Sequence, residues 1–178
     1  MIDPALNMLV AWAFVLLFGS AAVTKLLAFR SFAGALADYR VIPHRTVLPM
    51  ACILIVVEFC LAFSLAAAVE RAPYAIAGSI LLSIYGVAIL ANLHRGRRHI
   101  DCGCGVQHQP IGRWMVVRNF LLAAALLIAA LPVTGRIPSA WDTVTIGAGL
   151  AVLTMLYASL NLLMFEPRSR HRGIAEQT

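Results

Sequence analysis

Residues 47–69 read VLPMACILIVVEFCLAFSLAAAV, a continuous apolar run broken by one carboxylate, Glu58. About 20 apolar residues are needed to cross the hydrocarbon of a bilayer as a helix, and this run exceeds that length. It is rich in Ala and Leu and shows no apolar/polar alternation, which excludes a barrel strand. In lipid a helix also satisfies its own backbone polar groups, which an open strand does not. Working outward, four more runs of this kind appear, at Ala5–Leu27, Tyr74–Leu93, Trp114–Val133 and Thr143–Phe165. The expected fold is an all-α membrane protein, a bundle of about five transmembrane helices. A single domain over 1–166 would carry them, followed by a polar tail at 167–178. No Lys or Arg precedes the first run, so it reads as a retained helix and not as a signal peptide.

Composition agrees. Of 178 residues, 61% are hydrophobic and 12% charged, with a mean hydropathy of +0.86. Soluble domains carry about 25% charged residues, so a soluble enzyme is excluded. The net charge of +6 sits in short connections between apolar runs, which is a topology signal and not a nucleic-acid face. Two connections are long, Arg30–Thr46 and His94–Arg113; with five spans they share a face with the tail. Of the 14 Lys and Arg, all except Arg71 and Arg136 belong to that face. The positive-inside rule therefore expects it in the cytoplasm.

The segment before the fourth run, His99-Ile100-Asp101-Cys102-Gly103-Cys104-Gly105, is the most informative chemically. Two cysteines separated by Gly can close a small, strained disulfide ring, and strain makes such a bond easily reduced. Arg95, Arg97, Arg98 and His99 supply the positive potential that favours the nucleophilic thiolate. His94, His99, Cys102, Cys104 and His108 are also metal-ligating types, but lack the paired spacing of structural zinc sites. No resident metal is expected. Cys52 and Cys60, within the second run, read as small buried apolar residues.

Three ionisable groups fall in or beside the runs. An intramembrane carboxylate is expensive, so Glu58 is either a proton donor or acceptor, or the partner of Lys25 or Arg118 in a structural ion pair. Tyr39 and Tyr85 are candidates to line a cofactor pocket. Trp12, Trp114 and Trp141 fall where an interfacial aromatic belt is expected.

The block Asp101-Cys102-Gly103-Cys104-Gly105, with Asn92–Arg97 before it and Arg118-Asn119 after it, resembles the MauE family of methylamine utilisation, in the wider DoxX-like group. Thr24-Lys25-Leu26, Tyr39–Pro43 and Glu58 also match that pattern, and the similarity runs along almost the whole chain. The resemblance implies work beside a thioredoxin-like partner, MauD, in maturing the disulfide-rich small subunit of methylamine dehydrogenase. The loop arrangement is similar to the vitamin K epoxide reductase and DsbB bundles, whose four-helix core holds a quinone beside a cysteine pair. By that analogy Cys102 and Cys104 would pass electrons from the partner to a quinone. Arg95 or Lys25 would stabilise thiolate or reduced quinone, and Glu58 would handle protons. Lys25, Tyr39, Glu58, Tyr85, Trp114 and Arg118 would line the quinone site, in a bacterial inner membrane. Two other readings stand beside this one, a non-catalytic scaffold that docks the partner and a soft-metal carrier. The analogy favours a periplasmic cysteine pair, against the charge count.

Overall fold

Backbone groups in hydrocarbon must bond within their own segment, and the apolar runs fold accordingly. The computed structural model describes residues 1–41, 43–67, 70–96, 112–136 and 139–164, with side chains up to 160. The helices are α1 (Pro4–Leu27), α2 (Phe29–Asp38), α3 (Val47–Ala67), α4 (Ala72–His94), α5 (Arg113–Leu126) and α6 (Ala140–Met164). All except α2 belong to segments long and apolar enough to cross a membrane. The chain is a multi-pass membrane protein.

Several boundaries differ from expectation. The connection Arg30–Thr46 contains a helix, α2, because Phe29, Phe32, Ala33 and Leu36 recur at helical spacing and pack on α3. The fourth span does not continue to Val133: its last turn tightens into a 3₁₀ helix at Leu127–Ala130, and the chain is extended at Leu131. The fifth span begins at Ala140, three residues early, where Asp142 in the first turn accepts a 2.7 Å bond from Ser139 N. Trp12 lies more than two turns inside α1, away from the belt expected of it.

Helix α1 packs along α3, α4 packs along α5, and α6 lies against α1. Phe14, Phe18, Leu61, Leu65, Leu82 and Leu126 form the centre. Gly78 of α4 permits the closest approach. A Cβ there would stand 2.7 Å from Leu126 Cδ2 and 3.1 Å from the Phe18 ring.

One end of the bundle is fastened by polar contacts. Asp3 caps α1 by accepting from Ala5 N at 2.8 Å, with Pro4 in the first turn. Ile2 N donates to Pro132 O and Thr134 N to Ile2 O, each at 2.9 Å, which joins the N-terminus to the α5–α6 connection. Arg136 bridges Asp3 and Asp142, both at 3.0 Å. Hydrogen bonds to Asp142 and then Asp3 hold its guanidinium above the ordinary arginine value. Arg71 donates to Leu65 O at 3.2 Å and to Asn7 Oδ1 at 3.4 Å, and Asn7 donates to Ala129 O at 3.1 Å. The opposite end carries Lys25, α2, Arg45, Arg95 and Arg113.

Replacing Gly78 by Val should destabilise the bundle by about 1–3 kcal/mol, the usual cost of overpacking. Gly19→Ala, at a position with open space around it, is the matched control and should change little. Denaturant unfolding in detergent micelles measures both.

Candidate functional site

In a helix the side chains tilt toward the N-terminus. Lys25, two residues from the end of α1, therefore leans back into the bundle. Glu58, in the middle of antiparallel α3, leans up toward it. Lys25 Nζ and Glu58 Oε1 form a buried ion pair, with the two side chains 3% and 1% exposed. Tyr85 of α4 donates its hydroxyl proton to the same Oε1 at 2.8 Å, and Lys25 Nζ lies 3.4 Å from the Tyr85 oxygen. The ammonium also sits 4.7 Å from the Tyr85 ring centroid and 5.1 Å from that of Phe32. Cation–π contacts of this kind strengthen when desolvated. Glu58 Oε2 is buried and has no hydrogen-bond partner among the described residues.

Helix α2 lies over this cluster. Phe32, Ala35, Leu36 and Tyr39, with Leu54, Ala88 and Ile89, close a cavity of about 70 Å³ onto Lys25 and Tyr85. That is room for about two waters at ~30 Å³ each. Ligand pockets run to about 300–1,000 Å³, so this space is well below that range. A second space of about 590 Å³ is an open furrow on the outer face of α4, lined by Ile80, Ile84, Val87, Ala88, Ala91 and others. Arg95 and Val41 border it as well. Its size and apolar lining suit a lipid-like guest.

The expected site residues thus divide. Lys25, Glu58, Tyr85 and Tyr39 come together, and the ion-pair partner of Glu58 is Lys25. Arg118 lies with its guanidinium carbon 5.9 Å from the Tyr157 ring of α6. Trp114, in the first turn of α5, is 37% exposed and lines neither space. Arg95 borders the furrow and not the cavity. Cys102 and Cys104, with His99, Asp101 and His108, lie outside the described residues; the segment that carries them runs from the end of α4 to the start of α5. Cys52 and Cys60 are free thiols exposed on the outside of α3, and not buried as expected.

Other features escaped the sequence reading. Phe32 and Leu36 belong to the missed helix. Asn92 and Asn119 are buried, donating to Ala88 O at 3.0 Å and Met115 O at 2.7 Å, and Asn92 Oδ1 has no partner among the described residues. Their lone polarity inside apolar runs was the available signal.

Comparison with known proteins gives a consistent result. The family model "Methylamine utilisation protein MauE" matches residues 3–132, which contain α1 to α5. A methylamine utilization protein MauE of Paracoccus denitrificans is 34% identical over 172 residues, covering 92% of this chain and 91% of that protein. The Paracoccus versutus protein of the same name is 36% identical over 162 residues, 89% and 87% of the two chains. That of Methylophilus methylotrophus is 30% identical over 174 residues, 96% and 92%. No solved structure matches.

Removing one partner of a buried pair leaves an uncompensated charge, at a cost of about 3–5 kcal/mol. Lys25→Met and Glu58→Gln should each destabilise on that scale. The double variant should recover most of the loss, so a double-mutant unfolding cycle should be strongly non-additive. Additive losses would show that the pair is not coupled.

Proposed function

This chain belongs to the MauE family of methylamine utilisation proteins, and from that premise we propose that it is a membrane thiol–disulfide oxidoreductase. A Cys102–Cys104 disulfide is attacked by a thiolate of a thioredoxin-like partner and passes through a mixed disulfide. The partner's second thiolate then resolves it. The products are an oxidised partner and two thiols on this chain, with two electrons and two protons conserved across the exchange. The oxidised partner serves disulfide formation in the small subunit of methylamine dehydrogenase, and the setting is the bacterial inner membrane.

The observation that carries this reading is the anchoring of the Cys-Gly-Cys segment. It leaves α4 at Gly96, whose φ of +73° is the left-handed stop that glycine adopts without a Cβ clash. It rejoins the bundle at Gly112, the N-cap of α5. Arg95 and Arg113 flank these two points, and cations near a thiol favour thiolate.

The electron acceptor in this proposal is a quinone, and the furrow on α4 offers it an apolar face of suitable size. Val41, Ile84, Val87 and Ala91 would hold it, with Arg95 at the polar end. Such a group, when bound, accepts the two electrons and two protons that restore the disulfide. Lys25, Tyr39 and Tyr85 line the smaller cavity on the inner side of α4, with Glu58 paired to Lys25.

Trapping tests the proposal. With Cys102→Ser or Cys104→Ser, the remaining thiol should form a mixed disulfide with a single-cysteine form of the thioredoxin-like partner, seen on non-reducing gels. Active methylamine dehydrogenase should be lost in the double variant. Full maturation by that double variant would overturn the proposal. Stable co-purification without any mixed disulfide would favour the docking-scaffold reading. Labelling of Cys102 by a membrane-impermeant maleimide reads the face on which the exchange occurs.

A further inference from the structure

We propose that the furrow on α4 is a rail for the tail of an isoprenoid quinone, entered sideways from the lipid. The ring lies at the Arg95 end, and the tail runs along the helix past the middle of the bilayer. The inference rests on the quinone reading above, and adds to it the class of quinone and the direction in which it lies.

Length is the first observation. The α4 walls of the furrow begin at Ile76, near the start of the helix, and end at Arg95, its C-cap. At 1.5 Å per residue they extend for about 28 Å, close to the ~30 Å of the hydrocarbon core. The acyl chain of a phospholipid belongs to one leaflet and lines only about half of that length. A single chain that crosses the midplane fills it, and a polyprenyl tail is such a chain.

Polarity is distributed to match. Ile76, Ile80, Ile84 and Val87 stand along the furrow, 48–56% exposed. Ser79 and Ser83 lie between them, but their hydroxyls donate to Ala123 O and Ser79 O, each at 2.8 Å. Those protons are spent inside the protein, which leaves the middle of the furrow apolar. Leu127 completes the wall, next to the Leu126 that meets Gly78. Arg95 is the one charged residue among the described walls, and a guanidinium carries donors for a ring carbonyl oxygen. The ring therefore belongs at that end, where the connection carrying Cys102 and Cys104 leaves α4, and the tail points toward Ile76.

Photolabelling of the full chain in lipid nanodiscs tests the inference, with a ubiquinone that carries a diazirine at the far end of its polyprenyl tail. Peptide mapping should find the label around Ile76, Ile80 and Leu127. Ala91→Phe, which blocks the furrow between ring and tail end, should abolish that labelling, with circular dichroism checking the fold. Unlabelled decaprenyl ubiquinone should protect at about one-tenth of the mole fraction that monoprenyl ubiquinone requires. That advantage comes from packing contacts along the furrow, since lipid tails are as apolar as its walls. The label should persist in the Cys102→Ser, Cys104→Ser double variant, so failure of this inference and failure of the thiol proposal are read separately. Labelling spread evenly over the bundle, or equal protection by the two quinones, overturns the inference. Protection by phosphatidylglycerol at the same mole fraction as the decaprenyl quinone also overturns it, and makes the furrow a phospholipid groove. The tail-length comparison decides even where Ala91→Phe does not fold.

Discussion

A carboxylate in the middle of a membrane helix is the constraint around which this bundle is arranged. Glu58 lies about 16 Å along α3 from Val47, at 1.5 Å per residue, and so near the centre of the hydrocarbon. An unpaired charge there would cost several kcal/mol, and the opposite charge must come from another helix. Lys25 supplies it from the far end of α1, reaching back along its own helix. That geometry fixes the register of α1 against α3, since a slide of one turn would separate the two groups by about 5.4 Å. Tyr85 adds α4 to the same point. Three of the five spans are therefore set by one polar contact, in a medium where apolar packing alone specifies little.

The two ends of the bundle differ in kind. At one end, Asp3, Arg136 and Asp142 join α1 to α6, and Arg71 and Asn7 join the α3–α4 turn to α1 and α5. These polar side chains reach partners on other elements, which is a fastening. At the other end the polar groups are layered. Helix α2 lies across the bundle, a small cavity lies beneath it, and the ion pair lies beneath that. The long connection carrying Cys102 and Cys104 leaves and returns at this end. Chemistry is expected where structure is layered and accessible, and not where it is stapled.

The five spans were legible because apolar length is a direct consequence of bilayer thickness and needs no knowledge of neighbours. Glu58 and Lys25 were legible as exceptions to that rule. Which of Lys25 or Arg118 would meet Glu58 was not, because it depends on which helices are adjacent and at what depth, and Arg118 ends at Tyr157 instead. Helix α2 was missed because it is too short to span and its polar residues mask the Phe29, Phe32, Ala33, Leu36 stripe. Tyr39 and Tyr85 do meet at one small cavity, but its volume of about 70 Å³ is a quantity the sequence does not contain. Lys25 also entered the charge count as a loop cation, whereas it is neutralised by Glu58. Removing Lys25 and Arg118 leaves the direction of that count unchanged, since Arg30, Arg40, Arg45, Arg95 and Arg113 remain at the same end.

The separation of the two spaces follows from α4. Ala88 lines both the cavity under α2 and the furrow on the outer face, so one small side chain forms part of the wall between them. On the inner side the wall carries Tyr85 and Ile89, and the space is water-sized. On the outer side it carries Ile84, Val87 and Ala91, and the space suits a lipid-like chain. Helical periodicity produces this division, because residues 85 and 89 lie on one face while 84, 87 and 91 lie on another. The buried ion pair and the apolar furrow are thereby held on different sides of one helix without sharing a compartment. A single mixed pocket would open the ion pair to lipid, which would be less stable than the divided arrangement.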